Sequence, residues 1–275
     1  MSEDEDYEGD FEEYQYAPDP KTQELKGPLL ELFSRNASAV YYQRQLEVRY
    51  EKDYFHWVTD RALKELVEED KIRSEYSPIM VGDHKDKIRI FTISGNRYFR
   101  RTARQVAKLV EEYSDPSITV DVGLFGQELF KVAYARYGYH LIKEDAREFG
   151  GKTWNESKKN LDFIVEKEGT HFGCEVKNTL GYMDKKELNE KMRMCKYFGI
   201  TPILIMRRSP SVWNDEIIGK GGFIQIFETQ IFPPGRTGLV NKMRENLGLP
   251  VLVSAKIPDS IMERLDKTLK KRGLI

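Results

Sequence analysis

Between residues 160 and 178 the chain reads NLDFIVEKEGTHFGCEVKN, two apolar runs interrupted by polar residues at fixed intervals. Alternation of period two marks a strand, and Glu168-Gly169 between the runs is a two-residue turn signal. In a hairpin about that dipeptide Lys167 faces Thr170, and counting outward sets Asp162 opposite Glu175 and Asn160 opposite Lys177. Opposed residues in an antiparallel pair share a face, with β-carbons roughly 4.5–5.5 Å apart. Asp162, Glu175 and Lys177 then fall on one side. Leu161, Phe163, Val165, Phe172, Cys174 and Val176 fall on the other, an apolar surface fit to pack on helices.

The pattern around this hairpin alternates helix and strand. FGQELFKVAYARYGY reads as a helix, DKKELNEKMRMCKYFG as another, and TPILIM as a buried strand. GFIQIF and LPVLVSA are further strands with a helical stretch near 238–247 between them, and IPDSIMERLDKTLKK closes as a helix. That order predicts an α/β domain over residues 117–275, a mixed central sheet flanked by helices. Upstream, Gly27-Pro28 opens a short helix, a second covers about 39–50, and WVTDRALKELVEEDKI forms a third with Ala62, Leu63, Leu66 and Val67 on a buried stripe. Two β runs, SPIMV and KIRIFTIS, follow. Three helices and a hairpin over 25–96 have the order of a winged helix-turn-helix, a module that docks DNA or protein. Residues 97–116 read as a connector helix ended by Asp115-Pro116.

Charge adds to this picture. The net charge is −1, yet residues 1–20 hold nine acidic and no basic residues, which leaves 44 basic against 36 acidic in the rest. Residues 1–24 are therefore expected as an acidic disordered tail, either a solubilising end or a competitor for a basic groove. On the connector, Arg97, Arg101, Arg104 and Lys108 recur at helical spacing, either a DNA-backbone-contacting stripe or a solvated face. On the third helix Arg61 and Lys64 precede an acidic half, so only its start suits phosphates. Lys158 and Lys159, with Trp154, lie in a loop entering the first hairpin strand and add further candidate nucleic-acid contacts. No apolar run approaches the ~20 residues of a membrane span and no signal-peptide pattern opens the chain, so a cytoplasmic protein without membrane contact is expected. Two cysteines without a CxxC pair argue against a disulfide framework or structural zinc.

Adjacent carboxylates repel, and like charges opposite one another destabilise a strand pair. Lys177 offsets one charge; a divalent cation would offset both. Asp162, twelve intervening residues, then Glu175-Val176-Lys177 resembles the PD-(D/E)xK signature of restriction endonuclease-like and Holliday-junction-resolvase-like nucleases, with Leu161 where that signature has Pro. The order helix, strand, strand, strand, helix, strand over about 118–206 is similar to their core, its first strand supplied by either SITVDVGL or YHLIKE.

The resemblance implies that Asp162 and Glu175 bind Mg2+, with Mn2+ as substitute and the Val176 carbonyl as a further ligand. It implies that Lys177 positions or activates the attacking water, and that Glu128 of GQELF is an added helix acid. The implied function is a metal-dependent endonuclease hydrolysing duplex or branched DNA. The alternatives are a catalytically silent DNA-binding or regulatory protein on the same fold, or a nuclease subunit docked in a larger complex through its winged domain. Cutting both strands with one site per chain favours a homodimer.

Overall fold

A computed structural model describes residues 19–275; the acidic residues 1–18 lie outside the described residues. The chain runs α1 (Pro20–Arg35), β1 (Tyr41–Tyr42), α2 (Gln43–Tyr50), α3 (His56–Glu68), β2 (Ile72–Val81), β3 (His84–Ile93), α4 (Phe99–Ser114) and α5 (Pro116–Arg136). It continues through β4 (His140–Ala146), β5 (Glu148–Phe149), β6 (Lys152–Thr153), β7 (Leu161–Lys167), β8 (Thr170–Lys177), α6 (Lys185–Phe198), β9 (Thr201–Met206), α7 (Ser211–Gly219) and β10 (Phe223–Ile226). β11 (Gln230–Phe232), α8 (Thr237–Leu247), β12 (Val251–Val253) and α9 (Asp259–Lys271) complete it.

The architecture is α/β. A mixed five-stranded sheet has the order β10-β9-β8-β7-β4: β8, β9 and β10 are parallel, and β7 and β4 antiparallel to their neighbours. One face packs on α5 and α9 through Phe130, Tyr134, Phe163, Phe172, Ile203 and Met262. The other packs on α6 through Ile164, Met194, Cys195 and Phe198. In the N-terminal module, α1, α2 and α3 pack on a small sheet of order β1-β3-β2.

The hairpin register agrees with the sequence: Lys167 pairs Thr170 and Phe163 pairs Cys174. Glu168 and Gly169 both take positive φ, 52° and 81°, as a twisted two-residue turn requires. Leu161 departs from expectation and packs with Ile164, Cys195 and Ile200 on the face beneath α6. A β-carbon on Gly173 would come within 2.6 Å of Cys195 Sγ and 2.9 Å of Leu161 Cδ1, so only glycine lets α6 seat there.

Three other expectations are corrected. The tail does not extend to residue 24, and the first helix opens at Pro20 rather than at Gly27-Pro28. Asp19 caps it by accepting from Thr22 N at 2.9 Å, Pro20 occupies the first turn, and Thr22, Leu25, Leu29 and Phe33 form the buried stripe. Arg97 precedes α4, because Asn96 accepts from Tyr98 N in a turn after Gly95 and helical geometry begins only at Phe99. SITVDVGL is helical: Asp115 caps α5 by accepting from Ser117 N, and Val122, Gly126, Leu129, Phe130 and Ala133 lie on one buried face. The first sheet strand is therefore YHLIKE. Sequence reading missed α7 and β11, each too short to show periodicity.

Candidate active site

β7 and β8 bring Asp162 and Glu175 to the same region, and the last paired residues are Phe163 and Cys174. Beyond them Asp162 Oδ2 accepts from the backbone N–H of Val176 at 2.6 Å, so a carboxylate stands in the ladder where a main-chain carbonyl would. Its other oxygen accepts from Gln127 Nε2 of α5 at 2.9 Å. Helix α5 can come this close because residue 126 is glycine; a β-carbon there would lie 2.7 Å from Asn178 Cβ. Asn178, buried just after Lys177, donates to the carbonyls of Val122 and Ile231 and accepts from Ile231 N. The end of β8 is thereby fixed.

Helix α6 closes the other side. Asp184 caps it by accepting from the N–H groups of Lys186 and Glu187, and Gly199 ends it in the left-handed conformation. Its first turns aim two side chains at the hairpin. Lys191, 3% exposed, sets Nζ 2.7 Å from Glu175 Oε2 and donates to the carbonyl of Asn160. Glu187 accepts from Lys177 Nζ at 2.7 Å. Glu175 Oε2 has no other donor, so the Lys191 ammonium alone offsets it among the described residues.

Burial sets the electrostatics. Desolvation, then the charge of Asp162, pushes Glu175 up to about 8. Desolvation also raises Asp162, opposed by the Val176 N–H and the two lysines, while the charge of Asp145 raises it further. Asp145 sits on β4 between residues paired with Phe163 and Leu161, the register position facing Asp162. Its backbone is left-handed, with φ of 45°.

The expected residues divide into two groups. Asp162, Glu175, Val176 and Lys177 converge. Glu128 does not join them: its carboxylate is exposed and pairs with Lys131, while its neighbour Gln127 faces Asp162. Among the DNA-contact candidates, Arg61 pairs with Glu65, Lys64 with Asp60 and Lys159 with Glu190. Arg97, Arg101, Arg104, Lys108 and Lys158 are exposed and make no salt bridge among the described residues. Trp154 is buried at 1% exposure, donating to Ser157 Oγ, and is no surface contact.

Gln127, Glu187 and Lys191 were not anticipated. Lys191 leaves a sequence signal: with Leu188, Met192 and Cys195 it occupies the buried face of α6, where an unpaired lysine has no place.

Two hard carboxylates, one carrying a buried oxygen offset by Lys191 alone, fit a magnesium ion, which takes one or two carboxylates together with water and substrate phosphate. Among the described residues no three His, Cys, Asp or Glu side chains group as a metal cage. No family model matches this chain, and no curated protein or solved structure matches it significantly.

Proposed function

We propose that the chain is a magnesium-dependent deoxyribonuclease of the PD-(D/E)xK type, with manganese as substitute and a winged helix-turn-helix at its N-terminus. The observation that carries this reading is the convergence of Asp162, Glu175 and Lys177 at the point where β7 and β8 part, with Asp162 close enough to raise Glu175 and Lys177 close enough to oppose that. The order α5-β4-β7-β8-α6-β9 supports it, as does the placing of β1 between α1 and α2 against β3.

A bound divalent cation would be held by Asp162 and Glu175 and would supply a nucleophilic hydroxide from water and neutralise charge growing on the phosphate. The chain's own groups do the rest. Gln127 and the Val176 N–H fix the rotamer of Asp162, leaving one lone-pair direction on each oxygen free. Lys177 is the partly exposed member, positioned to hold the scissile phosphate or to take a proton from water, and Glu187 keeps it aimed toward the hairpin. Lys191 opposes the burial and the Asp162 charge that raise Glu175, and so favours the carboxylate form that a cation would bind.

The same Lys191 pair favours a second reading, a DNA-binding protein without turnover, because an ammonium already offsets Glu175 without metal. One assay separates the two. The full chain is incubated with linear, forked, four-way and single-stranded DNA, and with RNA, in magnesium, manganese or chelator. Metal-dependent cleavage lost by more than about a hundredfold in Asp162→Asn and Glu175→Gln supports the nuclease; binding without cleavage under every condition supports the silent protein.

A further inference from the structure

Outside the carboxylate site, one feature without a role is a cavity of about 620 Å³ between the N-terminal module and the sheet. That is within the size range of a small-molecule or nucleotide pocket. Its walls are aromatic. Phe55 and Tyr182 lie parallel, with centroids 5.5 Å apart, and Trp213 stands edge-on to both at 6.3 and 6.5 Å. Trp57, 48% exposed, forms the outer wall.

Position and charge point to the occupant. Tyr182 follows β8, Arg208 and Ser209 follow β9, and Ile226 ends β10, so the cavity opens at the carboxyl ends of three parallel strands. Crevices at that edge are where open α/β sheets take ligands. Lys177 ends β8 at the same edge, and Lys185, on the α6 turn that carries Glu187, covers one face of Trp213. The rim carries Lys21, Lys52 and Arg208, none in a salt bridge among the described residues. The rim's Glu51 is consumed by the buried Arg207, which leaves Asp53 as the opposing acid. Asn214 lines the wall with a buried Oδ1 that has no hydrogen-bond partner, an acceptor suited to an exocyclic amine.

We propose that this cavity stacks an unpaired base of a DNA strand whose backbone runs past Lys52 and Arg208 toward Lys177. The inference rests on the nuclease reading for its direction, and it makes the preferred substrate one with a single-stranded segment: a fork, flap or open junction. Aromatic platforms beside a basic track are the common means of holding single strands, at about 1–3 kcal/mol per stacked base.

The test is binding by the full chain in chelator, so that cleavage plays no part. Fluorescence anisotropy is measured with a single-stranded oligonucleotide, the same oligonucleotide with abasic positions, the matching duplex and an RNA of the same sequence. Trp57→Ala, exposed and safe for folding, and Tyr182→Leu, which keeps bulk, are compared with the parent chain, and indole quenching is followed in parallel. Expected are tighter binding of the single strand than of the duplex, quenching on addition, and a loss of about 5- to 100-fold for abasic DNA or either variant. Equal binding of abasic and intact strands, or variants that bind as the parent does, overturns the pocket. Quenching by RNA equal to that by DNA overturns the choice of DNA. A pocket that binds bases in a chain that never cleaves leaves this inference standing while removing the nuclease.

Discussion

Lys191 and Glu175 form the pair on which the site's stability turns. Both are nearly inaccessible, and removing one partner of a buried pair costs about 3–5 kcal/mol because the other charge is left unpaired. Lys191→Met is therefore expected to lower the free energy of urea unfolding by that amount in chelator above about pH 8, where Glu175 is ionised, and by less at neutral pH, where a proton neutralises it. Saturating magnesium recovers part of it, since a ligand bound by the native state alone stabilises that state. A variant as stable as the parent in chelator at that alkaline pH would show that Lys191 bears no load.

The pH dependence follows from the same carboxylate. With the folded value of Glu175 raised above the ordinary 4.5 to about 8, the native state binds more protons than the unfolded chain across that window. Its contribution is fully present below pH 4.5 and is lost as pH rises through about 8. Without metal, the contribution of Glu175, read as the stability of the parent minus that of Glu175→Gln, is thus expected to decline from acid to mildly alkaline pH. The stabilisation given by magnesium grows with pH as the proton stops competing. A parent-minus-variant difference that stays constant or rises over this window contradicts the burial argument.

Of the site, the sequence made legible the hairpin register that brings Asp162 near Glu175 and Lys177, but not that Asp162 meets Gln127 of α5 while Glu175 and Lys177 meet Lys191 and Glu187 of α6. It did not reveal Gln127, Glu187 and Lys191, because their part depends on where two helices land on the sheet. In GQELF it is Gln127 that meets Asp162, while Glu128, one residue and about 100° of helix rotation further on, meets Lys131.

At the scale of elements, the α4 stripe and the start of α3 make a natural comparison. Arg61 and Lys64 are offset by acidic partners on their own helix, whereas Arg101, Arg104 and Lys108 are exposed without a salt bridge among the described residues, Arg104 Nε donating only to the Arg100 carbonyl. Free cations release more counterions from DNA than paired ones do. Arg101→Ala with Arg104→Ala is expected to weaken duplex binding and reduce the salt slope by about 2, while Arg61→Ala with Lys64→Ala changes it little. Binding isotherms at four salt concentrations decide the matter, and equal slopes in all three proteins would return α4 to a solvated face.

Why some elements were legible follows from local chemistry. The β7–β8 hairpin was, because Glu168-Gly169 suits only one tight turn and fixes the register. The start of α1 was not: two prolines compete as first-turn residues, and the capping carboxylate of Asp19 rather than the turn at Gly27 settles it. SITVDVGL reads as strand from its β-branched residues, but the Asp115-Pro116 cap and the buried face ending at Tyr134 override that propensity.

For the whole molecule, residues 25–96 and 117–275 read as separate domains, yet they share a core. Ile79 and Ile90 of the small sheet pack in one cluster with Val106 and Val110 of α4, Val122 of α5, and Phe232, Val240 and Met243 beyond the main sheet. A second tie is ionic. Arg207, 1% exposed, forks onto both carboxylate oxygens of Glu51 and donates to the carbonyls of Thr179 and Leu180. It thereby fastens the N-terminal module to the loop that leads from Lys177 to α6. A shared core and a buried pair predict one cooperative transition rather than two. Circular dichroism and indole fluorescence should report coincident urea midpoints. Glu51→Met or Arg207→Met alone strands the opposite charge and is expected to cost about 3–5 kcal/mol, whereas the double variant removes both charges and costs less than either. Non-coincident midpoints in the parent, or single variants within about 0.5 kcal/mol of it, would mean that the module and the sheet unfold independently. In that case the strand path from the aromatic cavity to Lys177 would have no rigid frame to run along.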